Sequence, residues 1–101
     1  MKVEFSKAFI KASQHLSGKM LDTLRRTIAE VKAAKDIQNI TDCKKLVGYR
    51  NIYRIRLGDY RVLFTIEIEI YGDTILFQYL VPRGEAYGKK MKTELKRIDK
   101  E

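Results

Sequence analysis

The spacing of apolar residues predicts a short strand followed by two helices in the first third of the chain. Apolar and polar residues alternate over residues 3–5, which is typical of an edge strand, and Ser6 is a residue type that caps helices. Helical spacing then relates two apolar sets: Ala8, Phe9, Ala12 and Leu16, which end at Ser17-Gly18, and Met20, Leu21, Leu24, Ile28 and Val31 within a helix over 19–34. Two helices joined by so short a break predict an antiparallel hairpin that turns both apolar stripes toward a core.

The period changes to two after a connection predicted over residues 35–48. Strands are predicted over 52–57, 60–71 and 74–81, with tight turns at Gly58-Asp59 and Gly72-Asp73. Pro82 lacks an N–H group, so regular strand pairing should stop near it. In the polar tail over 85–101, Met91, Leu95 and Ile98 follow helical spacing, which predicts a short, weakly anchored C-terminal helix.

This order of elements predicts one α+β domain spanning residues 1–101. A strand, a helix hairpin, a three-strand antiparallel meander and a short helix give β-α-α-β-β-β-α, with helices on one face of an antiparallel sheet. The first strand is expected to join the sheet beside a later one. A length of 101 residues fits a single domain with one modest core, so we expect any chemistry to lie on a surface.

Strand alternation separates an apolar face of the sheet from a basic one. The apolar face, predicted to cover the helix hairpin, carries Tyr53, Ile55, Leu57, Tyr60, Val62, Phe64, Ile66, Ile68 and Ile70. The opposite face carries Arg54, Arg56 and Arg61, along with Leu63, Thr65, Glu67 and Glu69. Arg83 lies two residues past Val81 and joins this cluster if it keeps the outward direction of the third strand.

The formal charge of +8 is concentrated on this basic face. Residues 44–61 contain six cations, Lys44, Lys45, Arg50, Arg54, Arg56 and Arg61, against the single acidic residue Asp59. Nucleic acid, an anionic membrane surface and an acidic protein would all suit such an excess, and ordinary solvent-facing strand residues are the alternative interpretation. Guanidinium forks hold phosphates bidentately, and Tyr49, Tyr79 and Tyr87 could stack unpaired bases, so the combination favours single-stranded nucleic acid.

No metal, cofactor or membrane segment is predicted. Cys43 is the only cysteine; without a nearby histidine it is interpreted as a small, partly buried thiol. The first residues are charged, unlike a signal peptide, and no apolar run approaches the length of a membrane span. The expected location is therefore cytoplasmic.

Two motifs resemble those of a known toxin family. Residues 46–64, Leu-Val-Gly-Tyr-Arg-Asn-Ile-Tyr-Arg-Ile-Arg-Leu-Gly-Asp-Tyr-Arg-Val-Leu-Phe, are similar to the central hairpin of the RelE/ParE superfamily. The later Arg83-Gly-Glu-Ala-Tyr87 resembles the closing Arg-x-x-x-Tyr of that family. The resemblance is nearest to the RelE-like mRNA interferases and extends over nearly the whole chain, because the helix hairpin and strand order also agree.

The resemblance implies the toxin of a type II toxin–antitoxin pair, which cleaves mRNA in the ribosomal A site by attack of a ribose 2′-OH on the adjacent phosphate. Arg61 would bind the scissile phosphate and stabilise its developing charge, and Arg83 would do the same or stabilise the leaving group. Tyr87 would stack on a base or help to deprotonate the 2′-OH. RNA would be bound by Lys44, Lys45, Arg54, Arg56 and Lys89. The implied partners are a cognate antitoxin, the ribosome with its mRNA, and operator DNA only through the antitoxin complex.

One departure from the family pattern leaves the proton donor unassigned. Many relatives carry a histidine where this chain has Pro82, and the only histidine here, His15, lies in the first predicted helix. Proton transfer would then use Tyr87, Lys45, Lys89 or ribosomal groups, with Glu67 and Glu69 as weaker candidates. The alternatives are a slow enzyme, a ParE-like inhibitor of DNA gyrase without nuclease activity, and an inactive homologue that only binds an antitoxin.

Overall fold

A five-stranded sheet organises residues 1–99, the part of the chain that this computed structural model describes. Along the chain the elements are β1 (Lys2–Phe5), α1 (Lys7–Ser13), α2 (Gly18–Ala33), β2 (Cys43–Lys45), β3 (Tyr53–Leu57), β4 (Tyr60–Glu67), β5 (Thr74–Pro82) and α3 (Lys89–Ile98), with short 3₁₀ turns at Ile37–Asn39 and Arg83–Glu85. The strand order is β1-β5-β4-β3-β2. The predicted α+β class and the order of its main elements are confirmed. Within the described residues, no helix combines the length and apolar character needed to cross a membrane.

The two edges of the sheet differ from the prediction. The meander β2-β3-β4-β5 is antiparallel, but β1 pairs with β5 in parallel, so the sheet is mixed. The strand β2 lies inside the segment predicted as a connection, where it pairs with β3 from Cys43 opposite Ile55 to Lys45 opposite Tyr53. A three-residue strand is too short to show an alternating pattern, and only its neighbour defines it.

Ser6 joins β1 to α1, as the capping prediction requires. Its Oγ accepts a hydrogen bond from the Phe9 N–H at 3.0 Å and donates one to the Gln78 carbonyl at 2.6 Å. The same hydroxyl therefore satisfies a free N–H group of the first helical turn and ties the helix start to β5. Helix α1 ends at Ser13, earlier than the predicted break at Ser17-Gly18, and α2 begins at Gly18.

The main core lies between the helix hairpin and one face of the sheet. Its buried residues include Phe9, Leu24 and Val31 from the helices and Ile55, Leu57, Val62, Phe64, Ile75 and Phe77 from the strands. The rings of Phe9 and Phe77 stack with their centroids 5.3 Å apart. Phe9, Leu24 and Val31 are buried as predicted, where the two helices face the sheet, and Leu16, also buried as predicted, lies in the break between the helices. Ala8 is exposed and does not belong to the core, because α1 turns it toward solvent.

The opposite face of the sheet carries a second core under α3, which corrects the prediction of helices on one face only. Leu95 is 1% exposed and Met91 9%, and both pack against Ile52 and Leu63. The carboxylate of Asp99, at the end of α3, accepts hydrogen bonds of 2.8 Å from the backbone N–H groups of residues 50 and 51. The C-terminal helix is thus better anchored than its polar composition predicts. The last two residues of the predicted tail and domain, 100 and 101, lie outside the described part of the chain.

A bulge at Gln78 divides β5 between the two cores. Leu63 on β4 is opposite Tyr79, but the next residue, Phe64, is opposite Phe77, so Gln78 is the extra residue. Phe77 therefore joins the main core, whereas Tyr79 and Val81 pack against the core under α3. The bulge thus turns Tyr79 and Val81 toward the basic face, whereas Leu80 between them returns to the main core.

Strand β4 is shorter than predicted, and its apolar continuation is exposed. The strand ends at Glu67, opposite Thr74, where β5 begins. Ile68 and Ile70 were predicted to continue the apolar face but are 87% and 94% exposed. Apolar and polar residues continue to alternate in the sequence past Glu67, but the pairing with β5 ends there, so these residues do not join the sheet.

Candidate nucleic-acid interface

The register of β2, β3 and β4 places basic side chains directly opposite each other. Lys44 pairs with Arg54, and Arg56 pairs with Arg61. All four side chains lie on the face predicted to be basic. Arg54 and Arg56 are two residues apart along β3, so the two opposed pairs are neighbours on that face. Like charges at directly opposed positions destabilise a sheet unless an anion compensates them, so the arrangement suits a polyanion better than it suits folding.

The side chain of Arg61 is held against the β3–β4 turn. It is only 8% exposed, and its Nη1 donates hydrogen bonds to the carbonyls of Gly58 at 2.9 Å and Tyr60 at 2.8 Å. Its Nε is buried and has no hydrogen-bond partner. Leaving a buried donor unpaired costs roughly 1–3 kcal/mol, so the contribution of Arg61 to folding alone does not explain its placement.

Arg54, Arg56 and Arg83 surround Arg61 with further positive charge. Arg54 is 8% exposed, and its Nη1 donates to the Asp42 carbonyl at 2.9 Å, whereas Arg56 and Arg83 are exposed. The Arg83 backbone N–H donates to the carbonyl of Asp59 at 2.7 Å, which brings Arg83 to the turn that holds Arg61. Among the described residues, no carboxylate lies within 4.0 Å of any of these four guanidinium groups. Their charge is therefore left for a ligand.

A groove of about 310 Å³ lies beside these arginines, between the β2–β3 region and α3. We call it the basic groove; its polar lining residues are Lys44, Lys45, Tyr49, Arg54, Tyr87 and Lys92. Leu46 and Val47 complete its wall. The structure thus brings Lys44, Lys45, Arg54 and Tyr87 together from the predicted site. Sequence reasoning missed Lys92, because its position depends on α3 crossing the sheet.

Two predicted residues are placed elsewhere. Lys89, at the start of α3, lines a separate depression with Glu85, Lys90 and Glu94. The hydroxyl of Tyr79 donates to Glu94 Oε2 at 3.0 Å and accepts from Arg97 Nη2 at 3.4 Å. Burial, followed by the hydrogen bond to Glu94, raises the pKa of Tyr79. Tyr79 is thus occupied in anchoring α3, which leaves Tyr49 and Tyr87 as the rings that line the groove.

Glu67 and Glu69 are poorly placed to act as a base near Arg61. Glu67 ends β4, six residues from Arg61, a separation of about 20 Å along a strand. Glu69 lies beyond the strand, but its carboxylate contacts Lys2 and Thr74, which share the face of Glu67, so it stays on the arginine face at the end far from Arg61. The Thr74 hydroxyl donates a hydrogen bond to the Glu69 carboxylate, and this bond is the main reason that the pKa of Glu69 is lowered. The described residues contain no cluster of three His, Cys, Asp or Glu side chains that could hold a metal ion.

The β3–β4 turn contains a glycine in the left-handed backbone conformation. Gly58 has a φ of +59°, and a Cβ added there would lie 2.8 Å from the terminal methyl group of Met20. We expect Gly58→Ala to lower the free energy of unfolding by roughly 1–2 kcal/mol, the cost of a left-handed L-residue, because the Met20 methyl group ends a flexible side chain and can move aside. The matched comparison is Gly18→Ala, which has a φ of +55° and no atom within 4 Å of the added Cβ. Denaturant titration should give similar losses for the two variants; a much larger loss for Gly58→Ala would show that Met20 cannot move.

Cys43 is predicted to be unreactive in the folded protein. Burial raises the pKa of its thiol to about 11, although the nearby Arg54 acts in the opposite direction. At pH 8 we expect iodoacetamide to modify the folded protein about a hundredfold more slowly than the unfolded chain, because the thiolate is the nucleophile. Since the folded pKa lies above the unfolded one, stability should also fall as the pH rises from 9 toward 11. Cys43→Ser should remove this fall, and equal alkylation rates in the two states would contradict the burial.

Comparison with known proteins identifies relatives over most of the chain. No family model matches it. Toxin RelE3 of Methanocaldococcus jannaschii is 39% identical over 88 residues, which are 86% of this chain and 96% of that protein. The toxin fold in the crystal structure of a RelB-RelE antitoxin-toxin complex from Methanococcus jannaschii matches with a TM-score of 0.66 and 32% identity, over 83% of this chain and 94% of that one. An archaeal RelE-RelB complex from Pyrococcus horikoshii gives a TM-score of 0.66 at 29% identity, over 84% and 97% of the two chains.

Proposed function

This chain belongs to the RelE family of toxins, and we propose that it is the toxin of a toxin–antitoxin pair and cleaves mRNA on the ribosome. The observation that carries the proposal is the Arg56–Arg61 pair, in which like charges face each other and the buried Nε of Arg61 lacks a partner. A phosphate lying over β3 and β4 would offset the repulsion between the two arginines and could accept from Nη2 of Arg61, the guanidinium nitrogen that is neither fully buried nor hydrogen-bonded among the described residues. The exposed Arg83 beside the same turn would add a third cation.

The cleavage chemistry needs little more than this set of cations. The ribose 2′-oxygen forms a bond to the adjacent phosphorus while the bond to the 5′-oxygen breaks, giving a 2′,3′-cyclic phosphate and a free 5′-hydroxyl after proton transfer. Negative charge grows on the phosphoryl oxygens in the transition state, and Arg61, whose Nη1 is held by two carbonyls, would stabilise it. Arg83 would assist at the phosphate or the leaving group. Because a 2′-OH is the nucleophile, RNA and not DNA is the substrate.

Proton transfer in this chain has to proceed without a histidine at position 82. Pro82 occupies the position where many relatives carry a histidine, and Glu67 and Glu69 lie at the far end of the sheet. Of the remaining candidates, Tyr87 and Lys45 line the basic groove, whereas Lys89 lies in another depression. We therefore assign proton transfer to Tyr87, Lys45 or a ribosomal group.

A cognate antitoxin is the second proposed partner. The relatives from Methanococcus jannaschii and Pyrococcus horikoshii are seen as complexes of RelE with RelB. The corresponding antitoxin would place an acidic segment over the arginine face or displace α3, and it would carry the toxin to operator DNA. Charge complementarity with a chain of net charge +8 supports this arrangement.

The direct test is cleavage in a purified translation system. The protein is added to ribosomes stalled with a defined codon in the A site, and the ends of the mRNA are mapped. Expected are new 3′ ends within the A-site codon only when ribosomes are present. Intact mRNA together with gyrase-dependent DNA breaks in cells would replace the proposal by a gyrase inhibitor, and no growth arrest at all would indicate an inactive homologue.

A further inference from the structure

The loop that carries Tyr49 is unusually well fixed for a surface segment. The Leu46 N–H donates to the Ile52 carbonyl at 2.8 Å and closes the loop. The Asn51 side chain donates to the Ile66 carbonyl at 2.9 Å and accepts from the Ile66 N–H at 3.2 Å. With the carboxylate of Asp99 bound to two backbone amides of the same loop, both the sheet and α3 hold it in place.

Tyr49 itself is half-buried, with part of its ring packed against the core under α3 and part lining the basic groove. A ring held in this way loses little conformational freedom when a second flat group stacks on it. Aromatic rings that line a positively charged groove are a common means of binding unpaired bases. The fixed loop therefore gives the groove a rigid stacking surface.

The remaining lining of the groove also favours one nucleotide. Lys44 and Lys92 contribute charge from opposite sides, β2 and α3, and among the described lining residues none is acidic. Leu46 and Val47 add apolar contacts that a base can use and a lone phosphate cannot. The volume, about 310 Å³, is at the lower end of the range for small-molecule sites.

We infer that the basic groove binds one unpaired base of the cleaved mRNA, stacked on Tyr49, with Lys92 pairing the phosphate of that nucleotide. The inference rests on the proposed function, since it concerns the RNA that Arg61 would cut. Arg54, in the groove, and Arg56, opposite Arg61, are two residues apart on β3, about 7 Å. The base in the groove and the phosphate at Arg61 therefore belong to neighbouring nucleotides, and Tyr49 contributes to the choice of sequence that is cut.

The test compares Tyr49→Ala, Tyr49→Phe and Tyr71→Ala. Tyr71 is 94% exposed on the β4–β5 hairpin and serves as a control for removing a tyrosine. Cleavage rates are measured on stalled ribosomes whose mRNAs differ at one position beside the cut. Tyr49→Ala is expected to lower kcat/KM about tenfold, the effect of losing one stacked base. It should also reduce the difference in cleavage rate between mRNAs that carry a purine and mRNAs that carry a pyrimidine at one position beside the cut. Tyr49→Phe and Tyr71→Ala should keep the wild-type pattern.

A second arm measures binding of a short single-stranded RNA to the protein without ribosomes. Lys92→Ala should weaken binding and reduce its salt dependence, whereas Lys96→Ala, one turn along α3 and outside the groove, should not. Thermal melting checks that each variant is folded. Wild-type binding and wild-type sequence preference in folded Tyr49→Ala would overturn the inference, as would a uniform loss of cleavage with unchanged preference. If the wild type fails to cleave but Tyr49→Ala still loses RNA binding, the proposed cleavage fails and the binding site stands.

Discussion

Arg61→Ala is expected to lower the rate of mRNA cleavage by roughly two to three orders of magnitude, as removal of one fixed transition-state donor does. The guanidinium is held by the carbonyls of Gly58 and Tyr60, and Arg61 is directly opposite Arg56 in the sheet. The substitution should therefore lower kcat, while the KM for the stalled ribosome complex changes less. Single-turnover cleavage of a stalled complex measures the rate without interference from product release.

Stability should respond very differently to the same substitution. Arg61→Ala removes two hydrogen bonds, but it also removes a buried donor without a partner and a directly opposed like charge. These effects act in opposite directions, so we expect the free energy of unfolding to change by less than about 1 kcal/mol. A large loss of stability would mean that Arg61 is mainly a structural residue.

Two further variants test whether the loss of cleavage is specific to Arg61 and to its guanidinium group. Arg50→Ala removes an exposed arginine from the loop before β3 and should cleave like the wild type. Arg61→Lys keeps the charge but lacks the planar fork that can hold two oxygens, so its rate should lie between those of the wild type and Arg61→Ala. Equal rates for the wild type and Arg61→Ala would remove Arg61 from the catalytic site.

Leu95→Ala is expected to have the largest effect on stability among the substitutions considered, lowering the free energy of unfolding by about 2–5 kcal/mol. Leu95 is 1% exposed and fills the space between α3 and the sheet, where Leu63 and Ile52 are fully buried. The cavity that Leu95→Ala would leave cannot collapse easily, because Asp99 fixes the end of α3 to the loop before β3. Urea denaturation followed by far-UV circular dichroism measures the loss.

Hydrogen exchange distinguishes loss of α3 from loss of the whole fold. If only α3 is released, the amides of residues 50 and 51, which Asp99 covers, should exchange faster while those of β4 stay protected. Lys96→Ala, an exposed neighbour on α3, should leave both unchanged. Wild-type stability in Leu95→Ala would contradict the tight packing of α3 on the sheet.

The sequence predicted the helix-hairpin side of the molecule well, because that side depends on local periodicity. Phe9, Leu24 and Val31 belong to apolar sets at helical spacing, and Ile55, Val62 and Phe64 belong to sets that alternate along strands. The same periodicity therefore predicts both the type of secondary structure and the face of it that is buried. The same alternation placed Arg54, Arg56 and Arg61 together. The assignment of Arg61 to catalysis and of Arg54 and Arg56 to RNA binding stays a prediction, since it comes from family resemblance.

The other face was harder to predict because it is assembled from distant parts of the chain. Leu63 was expected on an open basic face, yet it is buried, because α3 returns to cover it. The bulge at Gln78 has no sequence signal, although it decides which core receives Tyr79. Lys92 joins the basic groove for the same reason that Leu63 is buried, and no spacing rule within β3 or β4 could have indicated it.

The parallel pairing of β1 with β5 constrains when the protein becomes active during its synthesis. The hydrogen bond from Ser6 to Gln78 spans 72 residues, so the first strand has no partner until most of the chain has been translated. A nascent chain ending before β5 also lacks Arg83, Tyr87 and α3, and with them one wall of the groove. The basic groove is therefore complete only after α3 has been synthesised, so any activity that depends on the groove appears late in synthesis.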